Sequence, residues 1–319
     1  MKINLLDNRL FNWKFIIGIL ISIVFSYYAF QNLEVEQLFH VISKIDFVYI
    51  IYAVLLLLFS VYIRCLRWQL LFNEYNPSIS HLFGYQLIGY FGNSILPIRA
   101  GELLRCIFVS RDYKISKSIV FGTVVLERFL DFVGMIALFL IFLFFGKLQF
   151  SNDILRFVGE NINILIILLI LLLIILVFFH RYNLIYKGNN KILLILNNII
   201  IGFKGLNLQN IFPIIIYTII IWSIYVIMVY FVQFSIQLGL SLFECIFILF
   251  ISSLALSIPS SPSNIGTFES GVIYAMSVLE SSFYQIEFAI ILHLITFLPY
   301  MFLGGLFFLY YNYQFLDKE

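Results

Sequence analysis

Charge is what this sequence has least of. Lys, Arg, Asp and Glu together make up 11% of 319 residues, whereas 62% are hydrophobic. Runs such as residues 162–179 carry no charge over a length that crosses a hydrocarbon core of about 30 Å. No stretch between the apolar segments is long enough for a separate soluble domain, so any chemistry belongs in the membrane or at its face. Cysteine is scarce too. Cys65, Cys106 and Cys245 stand far apart without CxxC or metal-ligand spacing, and they read as small apolar packing residues. Also missing are a Walker loop, a zinc spacing, a Gly-x-Ser-x-Gly elbow and a nucleotide-binding fingerprint. These absences count against an ATP-driven pump and most hydrolases, and leave an intramembrane lipid transferase open. No metal, cofactor or nucleic-acid partner is expected. Phe15 to Phe30 is followed by Gln31, Asn32 and Glu34 with no small-residue cleavage site, so the first segment is expected to remain as a span.

What charge there is falls in a pattern. Lys2, Arg9 and Lys14 precede the first apolar segment and, by the positive-inside tendency, lie in the cytoplasm. A second segment ends in Arg64, Arg67 and Trp68, read as basic side chains that snorkel and an indole that sits in the interface. Following the chain, only Lys44, Lys147 and Arg156 fall outside, and Arg128 is intramembrane. The expectation is an all-α polytopic membrane protein: one transmembrane domain over residues 1–319, with about six full spans and two re-entrant helical hairpins. These form two inverted-topology halves, residues 1–150 and 160–319, with both termini cytoplasmic, an arrangement typical of transporters. A bacterial or archaeal cytoplasmic (plasma) membrane is the expected location.

The hairpins are read from two interruptions. In N-S-I-L-P-I-R-A-G-E-L-L-R, residues 93–105, Pro97 removes an N–H and Gly101 permits dihedrals other residues resist. In S-I-P-S-S-P-S-N-I-G-T-F-E-S-G, residues 257–271, Pro259, Pro262 and Gly266 play the same part. Pro97 and Pro262 are each followed four residues later by glycine, and then by Glu102 or Glu269. Broken helices survive in lipid only where protein or water covers the freed backbone, so both breaks are expected to border a polar cavity.

Ionisable groups at membrane depth are costly and point to function. Arg99, Glu102 and Arg105 are candidate substrate contacts, or else a loop that anchors the hairpin to headgroups. Glu127 and Asp131, four residues apart, share a helix face near mid-bilayer with Arg128 three from Asp131, and the trio reads as a salt-bridge lock between helices or as part of the site. Glu269 either completes the cavity or sits partly exposed at the outer face. Asn93 and Asn264 belong to the candidate site as well. The serines at 260, 261 and 263 bond a headgroup or satisfy freed backbone, and His293 reads as a packed or interhelical hydrogen-bonding residue.

Taken together, Arg67-Trp68 with Leu70-Leu71, Asn93 with L-P-I-R-A-G-E-L-L-R, E-R-F-L-D at 127–131 and P-S-S-P-S-N-I-G-T-F-E at 259–269 resemble the flippase-like family named after the transmembrane region of lysylphosphatidylglycerol synthase. The resemblance implies movement of lipids or lipid-linked molecules between leaflets, and the chain lacks the large synthase domain that lysyl transfer would need. Ser263-Asn264 stands where related sequences look glycine-rich. The expected substrate is an anionic phospholipid, an aminoacylated lipid or a polyprenyl-phosphate-linked sugar, with Arg99 and Arg105 on the phosphate. Two alternatives remain: an intramembrane lipid-modifying transferase or hydrolase, and an accessory subunit of a membrane glycosyltransferase. A glycosyltransferase or lipid synthase is the expected protein partner.

Overall fold

The computed structural model describes residues 13–72, 75–96, 100–145, 191–207, 209–258, 260–281 and 283–316, with residues 163 and 167. Pro97, Arg99, Pro259 and nearly all of the apolar run 162–179 lie outside the described residues.

The described residues fold as helices: α1 (Trp13–Phe30), α2 (Val35–Ser43), α3 (Phe47–Gln69), α4 (Ile79–Ile95), α5 (Gly101–Tyr113), α6 (Lys117–Phe145), α7 (Lys191–Phe203), α8 (Ile211–Ser235), α9 (Leu242–Ser257), α10 (Thr267–Val278) and α11 (Gln285–Leu316). Among them α3, α6, α8 and α11 are long and apolar enough to cross a membrane. The starts are set by local chemistry. Asp46 accepts from the Val48 amide at 3.0 Å to open α3. At α9, Ser241 and Glu244 exchange side chain-to-backbone bonds in a capping box.

Helix α3 shows how faces are assigned. Ile51, Leu55, Phe59 and Tyr62 are exposed, as a lipid-facing stripe requires, while Ala53, Leu57, Ser60, Arg64 and Arg67 are buried on the other side. The side chains recur at helical spacing, so one rotation of the helix satisfies both sets. Helix α3 packs along α8, α6 packs on α9 and α11 packs on α4. The long helix that follows each interruption therefore lies against the helix that precedes the other one.

Both interruptions are present, with different geometry. Helix α4 ends before Leu96 and α5 begins after Ala100, and the two helices pack on each other. Gly101 opens α5. A Cβ there would lie 1.9 Å from the Gly89 carbonyl oxygen and 2.4 Å from the Asn93 nitrogen. Its requirement for glycine is this close approach of backbones, which corrects the expectation of unusual dihedrals. Between α9 and α10 a short 3-10 turn, Pro262–Asn264, carries positive φ at Ser263 (66°) and Asn264 (58°), followed by Gly266 at 86°. Here glycine is needed both for its dihedral and because a Cβ would meet Ser26 on α1 at 2.3 Å.

The serines of this turn bond backbone carbonyls and neighbouring polar side chains. Ser263 donates to the Ser94 carbonyl at the end of α4, 2.8 Å away, so the two interruptions touch. Ser260 meets Thr267 at 3.0 Å, and Ser22 of α1 donates to Ser261 at 2.8 Å. The three cysteines are free and buried, as their wide spacing led us to expect.

Candidate functional site

Buried charge gathers where α3, α5 and α6 meet. Arg64 Nη1 donates to Asp131 Oδ2 (2.8 Å) and Glu127 Oε1 (3.4 Å), and its Nε donates to the Tyr225 hydroxyl of α8 (2.9 Å). Arg67 Nη2 donates to Asp131 Oδ1 at 2.6 Å and its Nη1 to Thr218 at 3.0 Å. Arg105 Nε donates to Glu102 (2.7 Å), while its Nη1 donates to Glu127 Oε2 (3.1 Å) and to Gln86. Arg128 Nη2 pairs with Glu102 Oε1 at 2.9 Å and Nη1 with Asp131 at 3.3 Å. The Arg105 guanidinium also lies over the Trp68 ring, 4.7 Å from its centroid, and the Trp68 indole N–H donates to Thr123.

Four guanidiniums thus meet three carboxylates. Arg67 and Glu127 are fully buried, whereas the Arg128 side chain is 39% exposed. Burying unpaired charge in hydrocarbon costs several kcal/mol, and this network is how the chain avoids that. Among the described residues the cluster retains one positive charge in excess.

The exposed side of Arg128 faces a cavity of about 460 Å³, within the range of small-molecule sites. One part of its wall is charged or polar: Arg64, Asn93, Glu102, Arg128 and Asp131. The other is largely apolar with scattered hydroxyls, from Trp222, Leu249, Ser252, Phe268 and Phe297 among others. Asn264 also lines it, and Ser94 and Ser263 bring both interruptions to its edge. Its lining therefore sets polar and charged groups beside apolar ones.

The candidate residues separate accordingly. Asn93, Glu102, Arg128, Asp131 and Asn264 line the cavity; Arg105 and Glu127 are buried behind it as partners. Glu269 is buried beside it, accepting from the Gly266 amide at 2.8 Å and paired with His293 at 2.6 Å. Partial exposure of Glu269 at the outer face is thereby excluded, and His293 is interhelical as expected.

A model of the lysylphosphatidylglycerol synthase transmembrane region matches residues 15–304. The chain belongs to that family. Among its curated relatives is the UPF0104 membrane protein MJ1078 of Methanocaldococcus jannaschii, 30% identical over 221 residues, covering 68% of this chain and 93% of the relative. A second, MJ1595 of the same organism, is 29% identical over 136 residues, 41% of this chain and 39% of its own. No solved structure matches.

Arg64 and Arg67 correct the sequence reading of this family member. They do not snorkel: helix α3 continues to Gln69 and turns both guanidiniums inward to Asp131 and Glu127. Trp68 is fully buried as well, not interfacial. The signal was available in the spacing of residues 53, 57, 60, 64 and 67, which places the arginines on one face with Ala53, Leu57 and Ser60.

Proposed function

We propose that this protein carries an anionic lipid or lipid-linked molecule between leaflets, with the headgroup at the charged wall of the cavity and hydrocarbon along the apolar wall. One observation supports this above the rest: a cluster with surplus positive charge presents a half-exposed arginine to an amphipathic cavity. Guanidinium suits phosphate because it stays charged and offers forked donors. In this reading Arg128 contacts the phosphate, Arg99 joins it from the first interruption, and Asn93 and Asn264 bond the rest of the headgroup. Arg64, Arg67, Arg105, Glu127 and Asp131 hold the constellation in place, with Glu102 shared between scaffold and cavity.

The same reading takes the two interruptions as tips of re-entrant hairpins entering from opposite leaflets, within two inverted halves that make six crossings in all. Helices α4 and α5 have 17 and 13 residues, about 26 and 20 Å at 1.5 Å per residue, each short of a 30 Å core. Both termini lie in the cytoplasm of a cell whose plasma membrane houses the protein. A glycosyltransferase or lipid synthase supplies or consumes the substrate.

The test is leaflet exposure of lipids with a fluorescent headgroup in protein-containing vesicles, read by a quencher that does not cross the membrane. Wild type is expected to expose anionic lipid faster than protein-free vesicles, and Arg128→Gln to slow it about tenfold, equivalent to roughly 1.4 kcal/mol. Equal rates in the two proteins would remove Arg128 from the site. Covalent change of the lipid, seen by mass spectrometry, would favour a transferase instead.

A further inference from the structure

The second interruption repeats the pairing of the first with different chemistry. Glu102, in the first turn of α5, receives Arg128 from the long helix α6 at 2.9 Å. Glu269, in the first turn of α10, receives His293 from the long helix α11 at 2.6 Å. Arginine keeps its proton in proteins, whereas histidine exchanges its own near neutral pH.

Counting donors shows how many protons the second pair holds. His293 Nδ1 faces Glu269 Oε1, and Nε2 faces the Ser263 carbonyl oxygen at 3.1 Å. A neutral imidazole beside a carboxylate has one N–H for two acceptors, which sets a bare lone pair against an oxygen. Both contacts are satisfied only with one more proton. The pair is then either imidazolium with carboxylate, or imidazole whose Nδ1 accepts from the protonated acid. Each form has zero net charge, which suits residues 4% and 8% exposed.

Little nearby offers a substitute charge. On α10 the other titratable group is the exposed Tyr274; on α11, Glu287 lies toward the N-terminus and Tyr300 toward the C-terminus. The described side chains of α1 bring Tyr27 and Tyr28. Helix α9 brings Glu244 and Cys245 at its far end, and α4 and α8 bring Tyr90 and Tyr225. Arg64, Glu102, Arg128 and Asp131 belong to the charged wall of the same cavity, and among the described residues no arginine or lysine pairs with Glu269 or His293.

We infer that Glu269 and His293 form a proton-binding site that couples movement of the substrate to a proton gradient. The inference rests on the transport reading of the same cavity. His293 lines that cavity, so the proton exchanges with cavity water. Its loss takes away one of the two donors and breaks the contact with either Glu269 or Ser263. Ser263 sits at φ 66° and holds the Ser94 carbonyl at the end of α4. Proton occupancy therefore sets whether the turn between α9 and α10 stays clamped between α11 and the other interruption.

Two measurements on the full chain test this. In vesicles carrying labelled anionic lipid, the ratio of rates under opposite proton gradients is expected to be about tenfold or more for wild type. It is expected to fall to near one in His293→Gln and Glu269→Gln, whatever rate remains. In nanodiscs, nitrogen NMR of 15N-histidine protein, assigned by difference from His293→Gln, is expected to show Nε2 protonated at neutral pH, with Nδ1 either protonated or accepting. Lipid movement in wild type with a ratio near one overturns the coupling and leaves transport standing. A bare Nε2, or an Nδ1 that neither carries nor accepts a proton, overturns the proton count. If no lipid moves above protein-free vesicles, the transport reading fails and the coupling with it, while the spectrum still decides whether the pair holds its extra proton.

Discussion

Asn in place of Asp131 tests whether the buried charges hold the helices together. Asp131 receives Arg67 at 2.6 Å, Arg64 at 2.8 Å and Arg128 at 3.3 Å. Without its charge, two carboxylates face four guanidiniums. Arg64 keeps Glu127 and Tyr225, but Arg67 is left with neutral acceptors alone, the Thr218 hydroxyl and the Asn amide oxygen, with its Nε already lacking a partner. Because Arg67 is fully buried, the loss should approach that of breaking a buried ion pair, about 3–5 kcal/mol. That is a large share of a typical stability of roughly 5–15 kcal/mol. Arg128→Gln removes a partly exposed partner and should cost about 1 kcal/mol or less. Denaturant titration in detergent micelles, followed by tryptophan fluorescence, measures both. Adding Arg67→Met to Asp131→Asn should recover much of the loss, since it removes the orphaned cation. A loss below about 1 kcal/mol for Asp131→Asn, or no recovery in the double variant, would refute the scaffold.

Gly101→Ala should force α5 away from α4, because the new Cβ has backbone on two sides, at a cost of about 1–3 kcal/mol. Gly305→Ala, whose Cβ would meet only the Phe91 ring at 3.2 Å or beyond, is the control, and comparable losses would contradict the close approach. In a background without cysteine, Ser80→Cys and Phe283→Cys, both at exposed positions, are expected to react with an impermeant thiol reagent from opposite sides of the membrane. Labelling from one side would dispose of the inverted hairpins. Glu102→Gln adds a net positive charge beside the cavity. At an effective dielectric of about 20 the Coulomb term at 6–8 Å is roughly 2–3 kcal/mol, so binding of an anionic detergent or lipid should tighten at least about tenfold while leaflet exchange slows. Unchanged affinity would show that the carboxylate does not face the bound anion.

The sequence made the breaks legible because proline and glycine act on the backbone directly, whatever surrounds them. Pro262 and Gly266 lie within or beside the observed turn, and the charged runs at 102–105 and 127–131 converge. Arg64 and Arg67 were misjudged because a helix that is apolar on nearly every face offers little contrast to show which side meets protein. Near the end of an apolar segment, an arginine that snorkels and one that pairs inward have the same local sequence. The carboxylates of α6, some 60 residues later, decide between them. The Glu269–His293 pair was hidden for a similar reason: its partners are 24 residues apart on different helices, and no period links them.

The balance of charge in the cluster suits the carrier role proposed above. Four arginines without counterions would repel one another in hydrocarbon and would grip a phosphate too firmly to release it. Three carboxylates cancel most of that field and fix the guanidiniums before any ligand arrives, so little reorganisation is required on binding. What remains is one surplus charge, offered at Arg128 through a partly open face. Binding of an anion then draws on a preformed, weakened field, and departure costs correspondingly less. Among the described residues the second half contributes no arginine to the cavity, only apolar side chains, hydroxyls, the Asn264 amide and His293, with its partner Glu269 buried beside it. Under the proposed transport a charged head would be held from one side, and the turn that touches Ser94 would be left to respond to the proton rather than to the headgroup.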